Sequence, residues 1–64
     1  MRRRELVIVH DGEVAKTDKA RCFLFDGKHV WIPESVISWD DGEINELLLP
    51  DWFVYRKGLE VYLK

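Results

Sequence analysis

Two histidines, one cysteine, two serines and a dense group of carboxylates are the residues of this 64-residue chain with the chemistry for a site. His10, His29 and Cys22 are side chains that a zinc ion takes, but no Cys-x-x-Cys or His-x-x-x-His spacing sets two of them side by side. No metal site is therefore expected. Cys22 lies inside the apolar run Ala20-Arg21-Cys22-Phe23-Leu24-Phe25 and reads as a small buried thiol. Nucleophilic catalysis needs a base and an orienting group beside the nucleophile, and Ser35 and Ser38 stand in no such motif. Asp40 and Asp41 are adjacent, so a strand would point them to opposite faces, which does not suit paired acid–base work. Without a glycine-rich phosphate loop, and with little interior for a pocket, the expectation is a non-enzymatic protein with no cofactor.

The carboxylates can instead act through their field. Residues 29–55 contain Glu34, Asp40, Asp41, Glu43, Glu46 and Asp51 and no Lys or Arg, although the net charge of the whole chain is only −2. One reading makes Asp40, Asp41, Glu43 and Glu46 an acidic face that imitates a run of phosphates toward a basic protein or nucleoprotein complex. Trp39 would be its apolar anchor, with Trp52 nearby in sequence. A second reading is single-stranded nucleic-acid binding, in which bases stack on exposed rings within a basic groove. Arg2, Arg3, Arg4 and Arg21, with Lys16 and Lys19, offer the charge, and Trp31, between Val30 and Ile32, is the ring expected to face outward. The cation-free segment around Trp31, Trp39 and Trp52 weighs against direct DNA or RNA contact. Most of Phe23, Phe25, Trp31, Trp39, Trp52, Phe53 and Tyr55 are expected to fill the core.

Short strands must position these residues. Arg2-Arg3-Arg4 has no apolar periodicity, so residues 1–4 are expected to form a flexible basic arm and residues 5–64 a single domain. Glu5 to Lys16 favours an extended strand interrupted at Gly12. Ala20–Phe25 and His29–Ile32 flank Asp26-Gly27, the turn chemistry of a tight hairpin, and Pro33 ends the second of these strands. Residues 34–38 suit a single 3₁₀ turn that brings Val36 or Ile37 to the core. Asp41-Gly42 repeats the hairpin signal between Trp39 and the strand from Glu43 to Leu49, which Pro50 stops. Asp51 is expected to cap a short helix over residues 51–57 that docks Trp52, Tyr55 and Leu59, with Gly58 just past its end. Alternation of Leu59, Val61 and Leu63 predicts a terminal edge strand, and through residues 59–64 a homodimer.

The fold expected from these elements is mainly β: a small, strongly bent antiparallel barrel of five to six strands, SH3-like, with OB-like as the alternative. A lone cysteine rules out an internal disulfide and points to a reducing compartment. The only N-terminal apolar run, Leu6-Val7-Ile8-Val9, is too short for a membrane span or a signal-peptide core, so a cytoplasmic protein without a membrane partner is expected.

The pattern Val30-Trp-Ile-Pro-Glu-Ser-Val-Ile37, Asp41-Gly-Glu-Ile44, Pro50-Asp-Trp52 and Lys57-Gly-Leu59 resembles a group of small uncharacterised proteins frequent in phage and mobile-element genomes. The resemblance spans about three quarters of the chain. Its motifs are turn glycines, strand-ending prolines and packing tryptophans, so it implies a shared small barrel and carries over no functional residue. The resemblance also implies a bacterial or archaeal host and a stoichiometric action on host machinery, such as inhibition of a CRISPR-type defence complex. The leading expectation is thus an acidic, phage-type interaction protein that inhibits or modulates a basic host protein. Nucleic-acid binding and a structural homo-oligomer are the alternatives.

Overall fold

The computed structural model describes residues 4–64. In chain order it contains β1 (Glu5–Val9), β2 (Glu13–Lys16), β3 (Ala20–Phe25), β4 (Lys28–Pro33), a 3₁₀ turn (Glu34–Val36), β5 (Trp39–Asp41), β6 (Glu46–Pro50), α1 (Asp51–Arg56) and a second 3₁₀ turn (Leu59–Tyr62). The strands form two antiparallel three-stranded sheets, ordered β1-β6-β5 and β2-β3-β4. The fold is mainly β, and among the described residues no ladder joins the two sheets into a closed barrel. Arg2 and Arg3 of the expected arm lie outside the described residues. Arg4 is tied into the fold, its carbonyl accepting the Asp51 N–H at 2.8 Å.

The expected long first strand is two strands in two sheets. At His10-Asp11-Gly12 the chain leaves the first sheet and enters the second, and Gly12 takes a φ of 129° that L side chains rarely adopt. Hydrogen bonds stitch this junction to both hairpins: His10 N–H to the Asn45 carbonyl (2.9 Å), Asp11 N–H to the Leu24 carbonyl (2.7 Å), and Leu24 N–H to the Gly12 carbonyl (2.8 Å).

The β3–β4 hairpin closes as the sequence predicts. Asp26 and Gly27 have φ of 52° and 82°, the two successive positive values of a two-residue turn that matches strand twist, and Phe25 pairs with Lys28. The second Asp-Gly signal is met differently. Residues 42–45 form a four-residue turn in which Asn45, at φ 55°, takes the left-handed position instead of Gly42, and β6 begins at Glu46 rather than Glu43. Asp41 accounts for the longer loop, because its Oδ1 accepts the Glu43 N–H (2.9 Å) and so turns the chain locally.

Strand alternation places Ile8, Leu47 and Leu49 of the first sheet against Phe23, Phe25 and Ile32 of the second. Phe53, Val54 and Leu59 close the end of this core, and Val36 and Ile37 pack against it from the first 3₁₀ turn and the residue after it. The expectation that Trp52 and Tyr55 dock the helix is corrected: both are exposed, while Phe53 and Val54 are buried. A stripe from Trp52 through Leu59 needs a continuous helix, but Gly58, at φ 69°, ends α1 after six residues. The N-cap position falls on Pro50, and Asp51, now the first helical residue, accepts the Trp52 N–H (2.7 Å).

The terminal edge strand expected at residues 59–64 is also corrected. Gly58 starts a 3₁₀ turn that buries Leu59 and sets Tyr62 against Phe25 at 5.0 Å between ring centres, leaving Val61 74% exposed. Strand pairing with β1 is limited to a single bridge between Leu63 and Ile8, followed by the Lys64 N–H bonded to the Val7 carbonyl (3.0 Å). The free strand on which pairing through residues 59–64 would rest is absent; this segment covers β1 instead.

Candidate interaction surface

The three phenylalanines are buried, whereas all three tryptophans and Tyr55 are exposed. Most of the large aromatics are therefore outside the core, contrary to the expectation that they fill it. A buried indole N–H needs a partner, and a core this thin has few to offer; phenyl rings carry no such demand. Trp31 faces outward from β4 as predicted, 47% exposed, and Trp39 is 44% exposed on β5.

Register divides the four carboxylates of the acidic hairpin. Trp39, Leu48 and Val7 are cross-strand neighbours on the outer face of the first sheet, and the next row on that face is Asp41, Glu46 and Val9. Asp40 is paired with Leu47 and shares its face of the sheet, but on the edge strand β5 its side chain stays 41% exposed, beside Arg21. There its Oδ2 accepts a hydrogen bond from Arg21 Nη2 at 3.0 Å. Arg21 also bonds Glu13 (2.7 Å) and lies 3.7 Å from Glu34, with its guanidinium 5.1 Å from the centre of the Phe23 ring. This one cation, its side chain 16% exposed, ties β2, β3, β5 and the first 3₁₀ turn together. The hydrogen bonds that Arg21 donates to Glu13 and Asp40 raise the Arg21 pKa further, and the one to Glu13 pulls the Glu13 carboxyl below its usual value.

Glu46 is 8% exposed and its carboxylate pairs with Lys64 Nζ at 2.7 Å. Asp41 and Glu43 remain at the rim, with no cation against either among the described residues, and the exposed Ile44 sits at the tip between them and β6. Glu5, at the start of β1, accepts a hydrogen bond from the Ser38 hydroxyl. The acidic face is thus smaller than the sequence indicates: Trp39, Leu48, Val7 and Ile44 form its apolar part, and Asp41 and Glu43 its charge.

Of the residues grouped for nucleic-acid contact, Arg21 is held by carboxylates on the inner face of β3, while Trp31 projects from the outer face of β4. The two do not form one groove. Arg4 is exposed near the start of α1, and Arg2 and Arg3 lie outside the described residues.

His10 is a buried polar residue to which the sequence reading gave no role. It is 5% exposed, its ring lies 4.7 Å from Phe23 and 6.2 Å from Phe25, and its Nδ1 accepts the Gly12 N–H at 2.9 Å. Burial lowers its pKa, against an opposing pull from Asp11. The signal in the sequence was the position itself: a His directly after four apolar residues and two before a glycine. Comparison with protein-family models, with curated proteins and with solved structures finds no match.

Proposed function

We propose that the protein is a non-enzymatic interaction module that binds a basic surface of a partner protein through the outer face and tip of the β5–β6 hairpin. Trp39 enters the partner as the apolar anchor, and Asp41 and Glu43 meet its lysines and arginines. A basic surface of this kind ordinarily takes nucleic acid, so occupation by the hairpin blocks or modulates that binding. The site of action is the cytoplasm of a bacterial or archaeal host, in keeping with the lone reduced Cys22 and the phage-type sequence pattern.

The observation that carries this reading is the exposed Trp39 beside Leu48 and Val7, with Asp41 and Glu43 at the rim free of any cation among the described residues while Lys64 is taken by Glu46. A single exposed tryptophan is ordinary; an anchor beside carboxylates without an internal partner is what a basic partner needs.

Tryptophan fluorescence with a Lys/Arg-rich peptide and with a single-stranded oligonucleotide, each at low and moderate salt, tests the reading. The peptide is expected to change the emission and to lose the effect in Trp39→Phe and in the double variant Asp41→Asn, Glu43→Lys, in which Asn keeps the acceptor for the residue 43 N–H. Asp40 is excluded from the reversal because a lysine there would face Arg21 and disturb the fold. A response to the oligonucleotide that vanishes in Trp31→Phe and persists in Trp39→Phe would contradict the proposal and favour nucleic-acid binding.

A further inference from the structure

Two three-stranded sheets present four edges, and three of them are guarded against pairing with another chain. β2 is broken by a bulge between Glu13 and Ala15, β5 is only three residues long, and β1 is covered by Leu63 and Lys64. The outer edge of β4 carries none of these protections over Lys28–Ile32.

Which of its backbone groups are open follows from β3. Leu24 spends both its N–H and its C=O toward the β2 side, on Gly12 and Asp11, and the Ala20 carbonyl accepts from Thr17 on that same side. Antiparallel bonding alternates, so Phe25, Phe23 and Arg21 bond toward β4, where their partners are Lys28, Val30 and Ile32. His29 and Trp31 therefore point their N–H and C=O groups away from the sheet. Beyond them Pro33 has no N–H, and before them the Asp26-Gly27 turn ends the strand. The open groups are symmetric about Val30.

We propose that β4 pairs antiparallel with β4 of a second copy about a two-fold axis at Val30, making one six-stranded sheet from two β2-β3-β4 sheets. In that register His29 of each copy faces Trp31 of the other in two hydrogen-bonded pairs, which use all four open groups of each strand. A register centred on Trp31 sets His29 against Pro33 and loses a donor, and one centred on His29 sets Trp31 against the Gly27 turn. Charge is compatible with this register. Lys28 comes opposite Ile32, toward the end of the other strand that leads into Glu34, and away from its own twin. On the outer face the exposed indoles flank the axis, each beside an imidazole of the other copy, where aromatic cross-strand pairs add to backbone bonding. The acidic face lies on the other sheet, so each copy keeps its own Trp39 site.

Sedimentation equilibrium of the full chain over a concentration series, with amide hydrogen exchange at its two ends, tests the pairing. The mass is expected to rise from 7.6 kDa toward twice that value, with the His29 and Trp31 amides exchanging more slowly at high concentration. Trp31→Lys and His29→Pro alter positions whose N–H makes no bond within the sheet, so both are expected to stay folded by circular dichroism and to sediment as single copies. Glu43→Lys, in the turn of the other sheet, is expected to leave the association unchanged. A mass fixed at one copy across the series, a dimer that survives both β4 variants, or a dimer without slowed exchange at His29 and Trp31 would each overturn the proposal. Should a variant fail to fold, exchange in the unaltered chain still decides.

Discussion

The two Asp-Gly hairpins have the same turn dipeptide and one outward tryptophan each, but they do different work. In β3–β4 the glycine is conformationally required and the inward side chains, Phe23, Phe25 and Ile32, make up one wall of the core. In β5–β6 the glycine is not at positive φ, the loop is two residues longer, and the charged residues around it are partly released to the surface. Arg21 of the first hairpin bonds Asp40 of the second, so the rigid element holds the acidic one in place. A carboxylate's role is set here by its partners: Asp40 is exposed but held by Arg21, whereas Asp41 is half-buried, accepts the Glu43 N–H and has no cation against it among the described residues.

The largest test of this contrast is packing. Phe23→Ala removes a fully buried ring and is expected to cost about 3–5 kcal/mol in denaturant unfolding, enough to unfold most of so small a domain. Trp39→Ala, at a half-exposed ring, should cost well under half of that. Equal losses would mean that Trp39 is a core residue and not an anchor.

Next comes the link between the hairpins. Arg21→Met keeps the stem over Phe23 but leaves Glu13, Asp40 and Glu34 without their shared cation, with an expected loss of about 2 kcal/mol. Glu13 gives this link its pH dependence. Its folded pKa is depressed, so its contribution is present above the unfolded value of 4.5 and is lost as pH falls through the folded value. Arg21→Met should flatten that acid limb.

The turns themselves separate more finely. Gly27→Ala forces a side chain into φ 82° and should cost about 1–2 kcal/mol, whereas Gly42→Ala meets neither positive φ nor a nearby atom and should stay within about 0.5 kcal/mol. Thermal melts of the two variants make the comparison directly.

That pair also marks how far the sequence carries. Strand-forming runs, the stop at Pro33, the 3₁₀ turn after it, the left-handed Gly58 and the outward Trp31 were all legible, because each depends on local backbone chemistry or on period-two alternation. The longer β5–β6 loop was not, since an Asp side chain bonding its own backbone competes with the two-residue turn that Asp-Gly otherwise signals. The docking face of α1 and the fate of residues 59–64 depended on where a six-residue helix breaks, which tertiary packing of Phe53, Val54 and Leu59 decides. In the candidate site the charge pattern was readable. Its division among Arg21, Lys64 and solvent was not, because Arg21 meets Asp40 only once the sheets stack and Lys64 meets Glu46 only once the chain end lies along β1.

The smallest expected effect lies at the junction between the sheets. His10 is held neutral by burial, so its folded pKa lies below the unfolded 6.5: stability is complete above 6.5 and declines as pH falls from there through the folded value. His10→Asn offers an acceptor for the Gly12 N–H without a titrating ring and should remove that decline from a pH series of unfolding free energies.

The central claim, that the outer face of the acidic hairpin is the binding surface, is tested most directly by backbone amide chemical-shift mapping during titration with a Lys/Arg-rich peptide. The account predicts salt-sensitive shifts concentrated at Trp39, Asp41, Glu43, Ile44 and Leu48, with Trp31 and its strand unmoved by the peptide. Shifts centred on Trp31, or none around Trp39 at low salt, would contradict it.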